Sequence, residues 1–195
     1  MFLKLPLIGA IAVGISMAAT DAAAANPQVT FDTNLGKITV ELYPDKAPKT
    51  VENFLQYVKD GHYAGTIFHR VIGNFMIQGG GFTDDLYKGK MQPKKTRAAV
   101  PIESKNGLKN DTGWIAMART SDPNSATSQF FINTVDNDSL NFPSFDGHGY
   151  TVFGKVIDGM DVVKKIAAVK TTTMGPMRDV PSDVVSIDGA TAVEQ

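Results

Sequence analysis

One arginine stands among apolar neighbours in the first half of the 195-residue chain. Arg70 lies in the run Phe-His-Arg-Val-Ile, where burying its charge is costly unless acceptors or solvent meet it. A guanidinium donates several hydrogen bonds and does not deprotonate, so it can stabilise a lone pair or negative charge that develops during a reaction. A structural interpretation is also open, in which the stem of Arg70 covers apolar surface and its head reaches water.

The strand that must carry this arginine is predicted over Thr66–Ile72. Strict alternation places Phe68 and Arg70 on one face of this strand and His69 and Val71 on the other. The face that holds Arg70 would therefore be partly aromatic.

Two further runs place polar groups beside aromatic ones. In the first, Phe75 and Ile77 are expected to share a strand face. In the second, Phe130 and Phe131 are expected on opposite faces, so at least one of them belongs to the core. Gln129, which precedes them, could equally be a solvated strand residue. Each run is a weak signal when it is taken alone.

Composition and charge exclude several classes of protein. The chain holds 19 basic and 20 acidic side chains, a balance that gives no electrostatic footprint for nucleic acid or for an anionic membrane. Cysteine is absent, which excludes disulfides, thiol nucleophiles and zinc–thiolate sites. The three histidines, His62, His69 and His148, are scattered, and neither a metal site nor a hydrolytic triad is indicated. We therefore expect no metal and no cofactor.

The first 25 residues have the pattern of an export signal. Lys4 precedes an apolar run from Leu5 to Ala19, and the run is followed by the small residues Ala22–Ala25. A positive start, a short apolar stretch and a small-residue cleavage site are typical of a cleaved signal peptide. An uncleaved anchor is the alternative. The pattern predicts a leader over 1–25, a periplasmic protein with no membrane attachment after cleavage, and one domain over 26–195.

The remaining pattern predicts a mainly β domain with two helices. A hairpin is predicted over 29–42, one amphipathic helix after Pro48, and a second helix over 158–168. Long polar stretches at 83–101 and 134–149 have the length of functional or mobile loops. Many short strands with two helices indicate a closed antiparallel barrel, which leaves no exposed edge. Further short strands are predicted at 66–72, 75–78, 114–117, 130–133, 150–157 and 184–187.

Taken together, the motifs resemble the cyclophilin family of peptidyl-prolyl cis–trans isomerases, in its exported bacterial branch. The resemblance extends from about Val29 to Ile187. It implies an eight-stranded antiparallel barrel capped by two helices, with a proline-binding groove on its outer surface. The motifs that carry it are Phe-His-Arg-Val-Ile at 68–72, Phe-Met-Ile-Gln-Gly-Gly at 75–80, Met-Ala-Arg at 117–119, Ser-Gln-Phe-Phe-Ile at 128–132 and Val-Phe-Gly-Lys-Val at 152–156.

The resemblance also assigns roles to individual residues. The catalytic arginine of the family falls on Arg70, with Gln78 as its supporting amide. Tyr150 stands where many members have a histidine. The proline pocket falls on Phe75, Met76, Phe131 and Leu140, and the groups that meet the peptide backbone fall on Ala118, Arg119, Thr120 and Gln129.

Two functions are compatible with these roles. The first is an isomerase that rotates Xaa–Pro bonds in exported polypeptides and assists their folding. The second is a chaperone or peptide-binding module that uses the same groove without catalysis. Both would take proline-containing polypeptides as partners, and nothing in the sequence indicates more than a monomer.

The leader pattern gives a direct prediction. Protein purified from its native host is expected to begin near Asn26, and N-terminal sequencing measures this start. A mature chain that begins at Met1, or inside the predicted barrel, would contradict the export signal.

Overall fold

A computed structural model describes residues 25–90 and 92–193, so the predicted leader falls outside the described residues except for Ala25. Two α-helices, α1 (Pro48–Lys59) and α2 (Met160–Ala167), and two short 3-10 helices, Asp84–Lys88 and Asp138–Leu140, accompany the strands. The strands are β1 (Gln28–Thr33), β2 (Gly36–Leu42), β3 (Thr66–Ile72), β4 (Met76–Thr83), β5 (Trp114–Met117), β6 (Phe130–Asn133), β7 (Val152–Asp158), β8 (Thr171–Met174), β9 (Met177–Pro181) and β10 (Ser186–Val193).

Eight of these strands form a closed antiparallel barrel. Their order around it is β1, β10, β3, β4, β6, β5, β7 and β2, and the pairing of β1 with β2 completes the ring. Each neighbouring pair is antiparallel. The prediction of an eight-stranded barrel with two helices is confirmed.

The hairpin formed by β8 and β9 was not predicted from the sequence. Its first strand, Thr171–Met174, begins with three exposed threonines and carries no apolar alternation. Gly175 and Pro176 form the turn, and Val180 is the residue that the hairpin buries fully. The strand periodicity that reveals a half-buried sheet is therefore missing, although the Gly-Pro turn was a usable signal.

Aromatic side chains fill the interior of the barrel. Phe130 stacks on Phe31 with 5.0 Å between ring centroids, and it meets Phe54, Tyr63 and Phe68 edge to face at about 6 Å. All five rings are buried. Eight-stranded barrels have an interior just wide enough to be filled by side chains, so this one leaves no room for a ligand inside.

Both helices add buried side chains to this interior. Phe54 of α1 and Ile166 of α2 belong to the interior cluster. The start of α1 has no side-chain cap of its own. Instead, the carboxylate of Glu103 accepts hydrogen bonds from the backbone N–H of Thr50 at 2.9 Å and from its hydroxyl at 2.7 Å. No helix between Ala25 and Val193, in the part of the chain that the structure describes, is long and apolar enough to cross a membrane.

A bulge in β3 corrects the predicted alternation. The register between β3 and β4 shifts between Phe68 and Arg70. As a result Phe68 and Val71 both belong to the interior cluster, while His69 and Arg70 lie outside it. A bulge inserts one extra residue, so two consecutive side chains lie on the same side of the strand. The prediction that Phe68 shares a face with Arg70 is wrong for this reason.

His69 is a buried titratable group outside the barrel interior. Its ring packs on Phe82 at 4.7 Å, its side chain is 3% exposed, and its Nδ1 has no hydrogen-bond partner among the described residues. Burial lowers the pKa of His69 from 6.5 to about 4. The unfolded chain therefore takes up a proton near pH 6.5, whereas the folded chain takes it up only near pH 4.

This pKa difference predicts a pH-dependent stability. The free energy of unfolding should fall by about 3 kcal/mol as the pH falls from 6.5 to 4, because only the unfolded state binds the proton in that window. The variant His69→Gln should lose this slope in urea titrations, and His148→Gln, at an exposed histidine, is the matched control. Burial also lowers the pKa of His62, which is present in both variants and cancels in the comparison. A His69→Gln protein with the wild-type slope would contradict the prediction.

Candidate active site

Alternation in β4, β5 and β6 produces a second apolar cluster on the outside of the barrel. Phe130 points into the interior and its neighbour Phe131 points outward, as the sequence predicted. Across the ladder, Phe131 pairs with Gln78 of β4 and with Ala116 of β5. The outer cluster comprises Met76, Ala116, Phe131, Leu140 and Val152, with Phe75 and Tyr150 packed against it.

Phe75 reaches the outer cluster by a different route from the one predicted. It precedes β4, and its backbone N–H donates to Ile72 at 2.9 Å in a turn. It therefore does not share a face with Ile77, which belongs to the interior cluster. A turn residue is free of the strand alternation, so Phe75 and Met76 lie on the same side although they are adjacent.

Nine of the predicted site residues line one pocket beside this outer cluster. Its volume is ≈ 120 Å³, below the roughly 300–1,000 Å³ of typical small-molecule sites. A pocket of this size suits one small apolar side chain and not a nucleotide. The lining residues are Arg70, Phe75, Met76, Gln78, Ala118, Arg119, Phe131, Leu140 and Tyr150.

The two other predicted residues border the pocket. Gln129 accepts a hydrogen bond at 3.0 Å from the amide of Gln78. A side chain at position 81 would prevent this placement, because a Cβ on Gly81 would lie 2.5 Å from the side chain of Gln129. Thr120 lies in the next turn, where its backbone N–H and its hydroxyl both meet Ser125. The structure thus brings nine predicted residues together and places two beside them.

Arg70 stands at the rim of the pocket, and its guanidinium donates no side-chain hydrogen bond to the residues that the structure describes. Its closest carboxylate is Asp179 on β9, and the distance from Nε to Oδ2 is 3.9 Å. This distance is too long for a hydrogen bond, and both side chains are about two-fifths exposed, so the pair contributes little to stability. Gln78 donates to Gln129, and the support of Arg70 by Gln78 stays a prediction. The sequence did not indicate Asp179, because it lies on the unpredicted hairpin.

The side chain of Arg119 has a structural role at the pocket. It is 3% exposed, donates from Nε and Nη2 to the carbonyl of Gly149 at 3.0 and 2.7 Å, and forms an ion pair with Asp146. Its guanidinium lies 4.4 Å from the ring centroid of Tyr150, whose ring meets Phe131 edge to face at 5.7 Å. Hydrogen bonding to Arg119 holds the pKa of Asp146 well below its usual range. Arg119 therefore holds a pocket wall, and the contact of its backbone with a bound peptide stays a prediction.

Buried asparagines hold two other pocket walls, and the sequence did not indicate them. The amide of Asn137 donates to the carbonyl of Phe75 at 2.8 Å and to Asn133 at 2.7 Å. Asn133 in turn donates to Asn110 at 3.3 Å. The backbone carbonyl of Asn137 accepts from the backbone N–H of Leu140 at 2.9 Å. In the sequence these asparagines resemble a solvated loop, because only the fold shows that they are buried.

The central asparagine gives a prediction. Asn137→Ala removes both donated bonds and leaves the acceptor of Asn133 unpaired, so the free energy of unfolding should fall by about 1–3 kcal/mol. Because Phe75 loses the side-chain donor that holds its carbonyl, the Kd for a proline-containing peptide, measured by calorimetry, should rise about three- to tenfold. Asn34→Ala is the control, since this exposed asparagine donates to Val184 far along the chain. An Asn137→Ala protein with wild-type peptide affinity would contradict this role.

Metal ligation is not indicated within residues 25–90 and 92–193, which contain no cluster of three or more His, Asp or Glu side chains placed to hold an ion. The lining of the pocket offers apolar contact and hydrogen-bond donors. Such a site can hold an uncharged ring and stabilise a lone pair beside it.

Known proteins match this chain along nearly its whole described length. The peptidyl-prolyl cis–trans isomerase B of Escherichia coli is 54% identical over 168 residues, which cover 85% of this chain and 99% of that one. An isomerase of Acinetobacter baylyi is 56% identical over 165 residues, 85% of each chain. A cyclophilin-type isomerase of Cryptosporidium parvum, solved also in the presence of the dipeptide Ala-Pro, superposes with a TM-score of 0.71 at 30% identity and covers 87% of this chain and 99% of its own.

The family model agrees with these relatives. The model for cyclophilin-type peptidyl-prolyl cis–trans isomerases matches residues 28–192, from the first barrel strand to the last. The barrel, the outer pocket and these matches together show that the chain belongs to the cyclophilin-type peptidyl-prolyl cis–trans isomerases and is an enzyme of that type.

Proposed function

We propose that this isomerase acts as a monomer in the periplasm, on Xaa–Pro bonds of exported polypeptides, and that Arg70 is its catalytic group. The observation that carries the proposal is one guanidinium at the rim of a small apolar pocket, with donors that no acceptor between Ala25 and Val193 occupies in the described structure. The leader pattern over 1–25 supports export. The closed barrel supports a monomer, because a closed sheet presents no edge for pairing between chains.

The reaction needs stabilisation of a twisted amide. Resonance gives the peptide bond a rotation barrier of ~18–20 kcal/mol, so an Xaa–Pro bond interconverts in tens to hundreds of seconds. Rotation breaks this resonance and leaves a lone pair on the proline nitrogen. A donor aimed at that nitrogen binds the twisted state better than either planar state, which is the condition for catalysis. The reaction forms no covalent bond and transfers no proton.

Arg70 meets this condition on three counts. Its guanidinium carries five N–H donors in a planar fork, so it needs no partner base in order to donate. Its contact with Asp179 is too long to use up a donor. It also lies on β3 beside Gln78, and the bulge turns it outward to the pocket instead of inward to the aromatic core. The guanidinium can therefore approach a ring held by Phe75 and Phe131.

The pocket supplies the geometric part of catalysis. Phe131, Met76 and Leu140 are nearly fully buried and keep fixed positions in the outer cluster. A pyrrolidine ring seated among them would be held while the polypeptide on the other side of the bond rotates. Holding one end of the rotating bond beside a fixed donor lowers the entropic part of the barrier.

Replacement of the guanidinium tests the mechanism. Arg70→Ala should lower kcat/KM for an Xaa–Pro tetrapeptide by about two to three orders of magnitude, since removing one pre-organised donor to the reacting atoms costs about that factor. Arg70→Lys should restore only part of the rate, because an ammonium lacks the planar fork. A protease-coupled isomerisation assay measures the rates, and thermal unfolding is followed in parallel.

Arg178→Ala is the matched control, because it removes an exposed positive charge next to Asp179 without touching the pocket. It should keep wild-type turnover. A folded Arg70→Ala protein with near wild-type turnover would overturn the proposed catalytic role of Arg70. An Arg70→Ala protein that fails to fold would assign Arg70 a structural role instead.

A further inference from the structure

The segment 141–149, here called the 141–149 loop, leaves the proline pocket and returns to it. Leu140 precedes the loop and Tyr150 follows it, and both line the pocket. The N–H of Tyr150 donates to the carbonyl of Leu140 at 3.0 Å, which closes the base of the loop. The loop therefore begins and ends at the wall of the pocket.

Several contacts hold the 141–149 loop in one shape. Arg119 binds the carbonyl of Gly149 and the carboxylate of Asp146, and that carboxylate accepts from the N–H of His148 at 2.9 Å. Gly149 has φ +68°, and a Cβ there would lie 2.8 Å from the backbone nitrogen of Phe142, so the turn requires glycine. These contacts fix the conformation of the 141–149 loop.

This well-held loop nevertheless exposes two phenylalanine rings. Phe145 is 81% exposed and Phe142 is 41% exposed. Among the residues that the structure describes, only Ile157 and Val193 are other large hydrophobic side chains of comparable exposure. Two of four such residues thus fall within nine positions of the chain, directly beside the pocket. Clustered exposed apolar side chains commonly mark a binding surface.

A groove on the far side of Phe142 could receive more of a bound chain. Its volume is ≈ 450 Å³, and Lys46, Lys105, Asn106 and His148 line it together with Phe142. Lys105 lies over the ring of Phe142 at 4.8 Å. The polar side chains offer hydrogen bonds to an extended peptide backbone, while the exposed rings offer apolar contact. The combination suits an unfolded polypeptide, which presents both.

We infer that Phe145, with Phe142, contacts an apolar side chain of the same polypeptide whose proline occupies the pocket. The inference rests on the proposed function, because it assumes that proline is bound there. A loop of nine residues closed at its base reaches out by at most half its extended length, about 15 Å. An extended substrate covers that distance in about four or five residues, so the apolar residue lies within that spacing of the proline.

A pair of peptides tests this second contact. Both are twelve residues long with one central proline; one carries leucine four residues from it and the other carries serine there, and further pairs scan both sides of the proline. Exchange NMR gives kcat/KM for each peptide. In the wild type the leucine peptide should be favoured about five- to tenfold at the matching position, because the leucine side chain leaves water on the ring of Phe145. For each variant, kcat/KM on the serine peptide serves as the reference for kcat/KM on the leucine peptide.

The ratio of the two rates is the readout in the variants. Phe145→Ser should bring the leucine-to-serine ratio close to one, and Ile157→Ser, at an equally apolar exposed site on β7, should keep the wild-type ratio. Equal ratios in Phe145→Ser and wild type, or no leucine preference at any position, would overturn the inference. Failure of the proposed function would look different, because Arg70→Ala would then leave the rates on all peptides unchanged.

Discussion

Phe130 sets the constraint on which the rest of the structure depends. Its ring lies at the centre of the aromatic interior and touches four other rings. Because side chains fill the interior, any chemistry takes place on the outer surface of the barrel. Because successive side chains of a strand point to opposite sides, the burial of Phe130 forces Phe131 outward, where it forms a wall of the pocket. The core and the site thus use the two opposite faces of the same strand, β6.

Two departures from regular structure complete the site. The bulge in β3 turns Arg70 outward beside the pocket, and the turn before β4 frees Phe75 from the alternation of that strand. The remaining walls are held from behind by buried polar groups. Arg119 supports Tyr150, and Asn137 links Phe75 to Leu140. A small apolar pocket therefore depends on buried hydrogen-bonded groups that hold its walls in place.

Much of this architecture could be predicted from the sequence. Seven of the eight barrel strands and both helices follow from periodicity, and the motifs brought together nine residues that do line one pocket. The last strand was predicted at 184–187 but is found at Ser186–Val193, because only Ile187 of that strand is buried and the apolar alternation is missing. The bulge could not be predicted, because Phe68 and Arg70 obey strand spacing until register is known. The β8–β9 hairpin lacked an apolar pattern, so its Asp179 was missed. Asn137 shows the same limit, because a buried asparagine and a solvated one are identical in sequence.

The closure of the barrel has a consequence for how this enzyme acquires its own structure. β1 pairs with β2 on one side and with β10 on the other, so residues near position 30 meet residues near position 190. The cap of α1 by Glu103 also spans more than fifty residues. Contacts so distant along the chain raise the contact order, and non-local topologies of this kind fold slowly. The barrel of this enzyme, a catalyst of slow steps in other chains, therefore closes only when its own last strand, β10, pairs with its neighbours. Until then β1 and β3 keep open edges.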